Sequence, residues 1–254
     1  MKNTRVILIT GASSGIGKCL AELYAAPGCT LLLTGRDAER LGDVADACHK
    51  KGALVETTAI DVTDKSAFRE KILTWDAHHP IDLIIANAGI SGGMGRADVE
   101  ADTTFDNIMR INVDGAINTV NPLIPRLQER GRGQVVLMSS LAGFRGLPSA
   151  PAYSVSKNAV RAYAEALRPL LKKDGIGVSV ICPGFIKTPL TDVNTFPMPF
   201  LMSPEKAAAK IKAGIDANRA VIAFPWPMVW GIKFLTMLPR CIGDWVLGKA
   251  PKKP

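Results

Sequence analysis

The chain has 254 residues, of which 47% are hydrophobic and 21% charged, and a formal net charge of +8. This is the composition of an ordinary folded protein able to bury a sizeable core as one domain, and it excludes a disordered, collagen-like or membrane-spanning chain. The excess charge is local: residues 204–254 carry nine Lys/Arg against three Asp/Glu, so the body is nearly balanced and shows no basic, aromatic-interleaved patch of the kind that binds nucleic acid.

The run TRVILIT (4–10) predicts a first strand. Two positive charges precede its apolar stretch, but that stretch is too short for a signal peptide and ends in the loop signal Gly-Ala-Ser-Ser-Gly, so no targeting segment is expected. Further strands are predicted at 29–34, 54–60, 81–86, 134–139, 176–181 and 220–224. Segments of helical period lie between them at 15–26, 37–51, 64–77, 103–130, 153–173 and 203–218. Several strand runs lack polar alternation, as strands covered on both faces of a parallel sheet do. The alternation predicts an α/β doubly wound Rossmann fold with right-handed crossovers and a seven-stranded, mostly parallel sheet. One catalytic domain is expected over 1–224, followed by an apolar and basic extension at 225–254. Five scattered cysteines, Cys19, Cys29, Cys48, Cys182 and Cys241, form no Cys-x-x-Cys pair, and they read as reduced in a cytoplasmic protein. His49, His78 and His79 read as loop or helix residues, and no metal site is expected.

TGASSGIG (10–17) links the first strand to the first helix, the context a glycine-rich phosphate loop requires. Gly11 permits the tight turn, and Gly15 and Gly17 are expected to let the backbone approach a pyrophosphate at the positive end of the helix, with Ser13, Ser14 and Ile16 completing the contact. After the second strand, Thr34 and Gly35 are followed by Arg36, where a dinucleotide fold reads the adenosine ribose. The planar donor fork of an arginine suits a 2′-phosphate, so NADP(H) is favoured over NAD(H). Asp37 reads as the N-cap of the next helix; a turn shifted by two residues would make it a ribose reader instead.

These features, with Asp61-Val62, NAG at 87–89, INVDG at 111–115, the serine pair 139–140, Tyr153-x-x-x-Lys157 and PGFIKT at 183–188, resemble the short-chain dehydrogenases/reductases over residues 4–224. The resemblance implies a catalytic tetrad of Asn112, Ser140, Tyr153 and Lys157. The thirteen-residue separation from the tyrosine selects Ser140 over Ser139. It further implies adenine contacts at Asp61 and Val62, packing of the adenosine side by Asn87, Ala88 and Gly89, carboxamide and phosphate contacts at Ile186 and Thr188, and a nicotinamide face shaped by Pro183 and Gly184. The activity implied is an NADP(H)-preferring oxidoreductase acting on CH–OH donors, with Tyr153 as general acid/base. Tyr153 and Lys157 are four apart and share a helix face, so the lysine ammonium is expected to lower the phenol pKa; the resemblance implies that both also contact the cofactor, Lys157 at its ribose. Asn112 is expected to interrupt the regular bonding of a long helix and make room for a water beside Lys157. A non-catalytic nucleotide sensor on the same fold would be expected to lose the tyrosine or the lysine, and both are present.

Beyond PGFIKT, the loop with Phe196, Met198, Phe200, Leu201 and Met202 is expected to cover an apolar substrate: a lipophilic ketone, a 3-oxoacyl group or a hydroxysteroid-like alcohol. A core under a lid accounts for the same residues. In the extension, Trp226, Trp230 and Trp245 accompany Lys233, Arg240, Lys249, Lys252 and Lys253. Three readings fit: a lid, a subunit contact in a homodimer or homotetramer, or a peripheral membrane segment too short to span a bilayer, its interaction then being the chain's main function or an adjunct to turnover.

Overall fold

Strands that are apolar at consecutive positions need cover on both faces, and here two helical layers supply it. The computed structural model describes residues 6–92 and 101–248. The elements are β1 (Val6–Thr10), α1 (Gly15–Tyr24), β2 (Thr30–Gly35), α2 (Ala38–His49), β3 (Leu54–Ala59), α3 (Lys65–His78) and β4 (Leu83–Ala86), then α4 (Asp102–Met109), α5 (Gly115–Val120), α6 (Ile124–Arg130) and β5 (Gly133–Met138). They continue with α7 (Pro151–Lys172), β6 (Ile176–Pro183), α8 (Pro189–Asp192), α9 (Pro204–Asp216), β7 (Val221–Phe224), α10 (Trp226–Met237) and α11 (Arg240–Leu247). The strand order is β3-β2-β1-β4-β5-β6-β7. Every pairing is parallel. The order reverses between β1 and β4, which opens the crevice where doubly wound sheets bind ligands.

Side chains alternate across the sheet with period two. Ile7, Ile9, Leu31 and Leu33 enter the layer that includes Leu20, Leu41 and Ile211. Leu8 and Leu32 enter the opposite layer with Phe68, Ile72, Leu127 and Leu167. Each fully buried Leu or Ile contributes about 1.5–3 kcal/mol, so the two layers together hold the strand ends in register.

The predicted helix 103–130 is not continuous. Between α4 and α5 the residues Arg110–Asp114 form a wider, π-helical turn, and α6 restarts with a proline in its first turn. Pro122 and Pro125 explain the restart, since each lacks the N–H a continuous helix would need. The helix predicted at 153 begins at Pro151, whose fixed φ suits a first helical position. The extension forms α10 and α11, with α10 packed on β7. Among the described residues no helix is long and apolar enough to cross a membrane. Residues 4 and 5 of the predicted first strand, and Lys249, Lys252 and Lys253, lie outside the described residues.

Candidate active site

The ends of β1 to β6 surround one cavity of about 830 Å³. Its wall takes Gly11 and Ser13–Ile16 after β1, Thr34–Asp37 at β2, Ile60–Val62 after β3, Asn87–Ser91 after β4, Met138–Ala142 at β5 and Pro183–Ile186 with Thr188 after β6. Tyr153 and Lys157 of α7 complete it.

At one end the loop after β1 turns through left-handed glycines, Gly11 at φ 65° and Gly15 at φ 53°. A Cβ on Gly11 would stand 2.9 Å from Ala88 Cα, and one on Gly15 would stand 3.0 Å from Thr188 Cγ2. Ser14 occupies the N-cap position of α1 but its side chain makes no capping bond. Gly17 departs from the expectation. It does not line the cavity; a Cβ there would lie 2.2 Å from the Gly11 carbonyl oxygen and 2.6 Å from Asn87 Nδ2. Its bare backbone lets α1 close against the loop and β4, a packing role rather than a phosphate contact. Asn87 ties the same strand ends together, its Nδ2 donating to the carbonyls of Thr10 (2.9 Å) and Gly11 (3.1 Å).

At the β2 end, Asp37 caps α2 by accepting from the Arg40 N–H at 3.0 Å, and it also pairs with Arg40 Nε at 2.5 Å. Arg36 lines this end of the cavity, and so does Arg40, which the sequence expectation did not include. Thr34 Oγ1 is buried here with no partner among the described residues. Partial burial works to raise the Asp61 carboxyl, but hydrogen bonds from Thr63 and the nearby Arg36 and Arg110 guanidiniums outweigh it and hold the carboxyl below its ordinary value.

At the opposite end, Tyr153 and Lys157 lie one turn apart on α7, with Lys157 Nζ 5.6 Å from the phenol ring centre. Nζ donates to the Met138 carbonyl at the end of β5 at 3.0 Å, and Ser139 Oγ donates to the Lys157 carbonyl at 2.7 Å. The hydroxyl of Ser139 is thus spent on anchoring α7 to β5. Ser140 accepts from the Ala142 N–H at 3.1 Å and hydrogen-bonds Tyr153.

Electrostatically the pair differs from the sequence expectation. Burial lifts the Tyr153 phenol above its ordinary value, and the Ser140 hydrogen bond offsets only part of that rise. Lys157 is 4% exposed, and burial pushes its ammonium down from 10.5 to about 8, against a smaller opposing influence of Cys182. The lysine is itself desolvated and aimed at a carbonyl, so in the protein alone it does not bring the phenol down.

The depressed Lys157 value has a consequence for stability. The unfolded chain keeps that proton up to about 10.5 while the folded chain releases it near 8, so between those values the unfolded state binds more protons and stability rises with pH. The gain is at most about 3 kcal/mol across the window. Urea unfolding of Lys157→Met against wild type at neutral and alkaline pH is expected to remove this rise; parallel pH profiles for the two proteins would contradict the assignment.

Asn112, expected in the tetrad, is 1% exposed and lies behind the cavity wall. Its Oδ1 accepts from the Ile90 N–H at 2.8 Å, while Nδ2 donates to the Ile90 carbonyl and to Ser156 Oγ, both at 3.0 Å. The side chain therefore clamps the segment after β4 to α7, and the helix is irregular where expected, in the π-helical turn Arg110–Asp114 that contains Asn112. A Cβ on Gly89 would meet Asn112 Oδ1 at 3.0 Å and Lys157 Nζ at 3.3 Å, so the absent side chain of Gly89 keeps these two polar groups close.

The segment after PGFIKT meets the cavity through Leu190 and Val193, not through its later apolar residues. Phe200 and Leu201 are exposed, and Met202 packs into the core through a bridge to Ile186. The apolar wall comes from Leu141, Phe185, Leu190 and Val193, together with Met228 and Ile232 of α10. Phe196 acts at one remove, edge-on to Phe185 with ring centres 6.0 Å apart.

Residues 5–196 match the profile of the short chain dehydrogenase family. The chain belongs to the short-chain dehydrogenases. An uncharacterized oxidoreductase of Myxococcus xanthus is 39% identical over 241 residues, covering 94% of this chain and 95% of that protein. A short-chain dehydrogenase from Sphingobium yanoikuyae, solved in complex with NADPH, superposes with a TM-score of 0.79 at 25% identity, over 93% of this chain and 97% of that one. A short-chain dehydrogenase from Mycobacterium paratuberculosis, bound to NAD, superposes with a TM-score of 0.76 at 27% identity, over 87% of this chain and 95% of that one. The profile match ends before α9, so α10, which places Met228 and Ile232 in the cavity of this short-chain dehydrogenase, lies outside it.

Proposed function

We propose that this short-chain dehydrogenase transfers a hydride between NADP(H) and the carbonyl or alcohol carbon of a lipophilic substrate, with Tyr153 as general acid/base. The observation that carries the reading is the single cavity whose wall joins the β1 glycine loop, Arg36 and Arg40 at one end to Ser140, Tyr153 and Lys157 at the other. A dinucleotide fits the residues present: close backbone approach at Gly11 and Gly15, an N-terminus of α1 that Ser14 leaves without a side-chain cap, and a buried Thr34 hydroxyl without a protein partner among the described residues. Nicotinamide, when bound, supplies or accepts the hydride. In the reductive direction negative charge grows on the substrate oxygen, and the Tyr153 hydroxyl donates to that oxygen and then gives up its proton. Ser140, already hydrogen-bonded to the phenol, holds the same oxygen in line. Lys157 supplies positive charge beneath the ring, while Asn112 fixes the backbone against which that lysine rests.

The two solved relatives were bound to NADPH and to NAD, so the fold accommodates either. Arg36, with Arg40 beside it held by Asp37, favours the phosphorylated cofactor, because a dianionic 2′-phosphate suits a guanidinium fork better than a bare ribose hydroxyl does. For Arg36→Ala with Arg40→Ala, the KM for NADPH is expected to rise about 10–100-fold while that for NADH changes less than about threefold. Equal losses with both cofactors would overturn the preference. The activity itself is tested by turnover of a panel of aliphatic ketones, 3-oxoacyl thioesters and 3-oxosteroids with NADPH. The apolar wall predicts that kcat/KM climbs with substrate lipophilicity, and a preference for small polar carbonyls would contradict the substrate class.

A further inference from the structure

Helix α10 is apolar nearly all round, with Lys233 its one charged residue. Such a helix is covered on every side in a stable protein, and among the described residues α10 is not. Its inner side, Met228, Val229 and Ile232, packs on the body of the protein, and Met228 and Ile232 also face the cavity. Its outer side carries Trp226, Trp230, Phe234 and Met237, which are 74%, 65%, 63% and 78% exposed. The spacing i, i+4, i+8, i+11 gathers these four into one stripe opposite the inner residues. Helix α11 adds exposed Ile242, Trp245 and Val246 at i, i+3, i+4.

Charge decides between the occupants of this stripe. Lys233 lies at its edge, with Nζ 5.7 Å from the Trp230 ring centre, and exposed Arg240 opens α11. The one acidic residue of the extension, Asp244, is engaged by Arg145 at 3.1 Å. The sequence continues with Lys249, Lys252 and Lys253. A second copy docking through a twofold axis would bring this cationic patch against itself, since such an interface pairs identical surfaces. An anionic bilayer surface offers the opposite charge and an apolar layer beneath it. Tryptophans at the level of the headgroups with lysine and arginine at the margin are the pattern such a surface rewards. At twelve residues the helix is too short to span a bilayer, so it would lie along the surface.

We propose that the outer face of α10 seats this protein on anionic phospholipid, placing the helix between the lipid and the cavity it lines on its other side. Detergent-free full-length protein is sedimented with vesicles of phosphatidylcholine alone and of equal parts phosphatidylcholine and phosphatidylserine, with tryptophan emission recorded in parallel. Trp75 is 2% exposed, so a blue shift on vesicle addition reports the tail tryptophans. Partitioning is expected to be at least about tenfold stronger on the phosphatidylserine vesicles and to weaken in high salt. Trp230→Glu with Phe234→Glu is expected to abolish binding to both vesicles. Lys233→Glu with Arg240→Glu, which keeps the apolar stripe, is expected to remove only the preference for phosphatidylserine. Both double variants are expected to retain wild-type circular dichroism and turnover of a soluble ketone. Recovery of wild type equal with and without vesicles would overturn the proposal, as would binding that survives Trp230→Glu with Phe234→Glu. A lipid-free dimer, seen by light scattering and dissolved by that same pair of substitutions, would assign the face to a second copy and overturn it equally.

Discussion

Tyr153→Phe is expected to lower kcat for carbonyl reduction about a thousandfold, the contribution of a well-placed general acid, equivalent to about 4 kcal/mol of barrier. The substitution removes one oxygen from a half-buried ring and leaves α7, Lys157 and the β1 loop in place, so NADPH affinity measured by fluorescence titration should change less than about threefold. The Ser140 hydroxyl loses a partner in the variant but keeps its bond from the Ala142 N–H, so the turn after β5 is not undone. Stability should therefore stay within about 1 kcal/mol of wild type, the size of one ordinary hydrogen bond. Wild-type kcat in Tyr153→Phe would remove the tyrosine from the chemistry. An equal loss of kcat and of NADPH binding would make it a structural residue.

The second large effect is expected at Gly17. An alanine methyl would be placed 2.2 Å from the Gly11 carbonyl oxygen and 2.6 Å from Asn87 Nδ2, and neither group can retreat cheaply. Moving the carbonyl distorts the left-handed turn at Gly11, and moving Asn87 breaks its bonds to Thr10 and Gly11, which join the ends of β1 and β4. Overpacking of this kind costs about 1–3 kcal/mol before the lost hydrogen bonds are added. For a domain of this size the melting temperature should fall by about 5–10 °C, and NADPH affinity should fall at least about tenfold because the phosphate loop is displaced. Gly42→Ala is the matched control. It lies inside α2 with nothing within 4 Å of its Cβ position, so it should stabilise the protein by up to about 1 kcal/mol. A Gly17→Ala protein with wild-type melting and cofactor affinity would refute the packing role.

The strands were legible because burial on both faces leaves an uninterrupted apolar run, and all seven predicted runs overlap observed strands. Tyr153 and Lys157 were legible because two residues four apart on a helix have little choice but to share a face. The break between α4 and α5 was not, since one widened turn shifts the apolar period too little to be seen against the surrounding helix. Gly17 and Asn112 were placed in the right neighbourhood, Asn112 at the irregular turn of its helix, but their packing partners could not be read. A short motif names residues near a ligand without saying whether each faces it or, like these two, holds the wall from behind. Arg40 was hidden because it reaches the cavity only once Asp37 has capped α2 and turned the first helical residues back toward β2. Met228 and Ile232 come from a helix beyond the last strand, and nothing local in WPMVWGIKFLTM tells which side of that helix meets the cavity. The segment 189–205 drew the substrate expectation, and it meets the cavity through Leu190 and Val193, while Phe200 and Leu201 are exposed and Met202 packs on the core.

Direct hydride transfer inside the cavity that joins Arg36 to Tyr153 is tested most directly by isotope transfer. NADPH deuterated at the reactive nicotinamide position is turned over with a lipophilic ketone, and the product alcohol is analysed by mass spectrometry. Wild type is predicted to deliver one deuterium to the carbinol carbon, with the Tyr153→Phe protein delivering about a thousandth as much in the same time. Product without the label, or label delivered equally fast by both proteins, would contradict it.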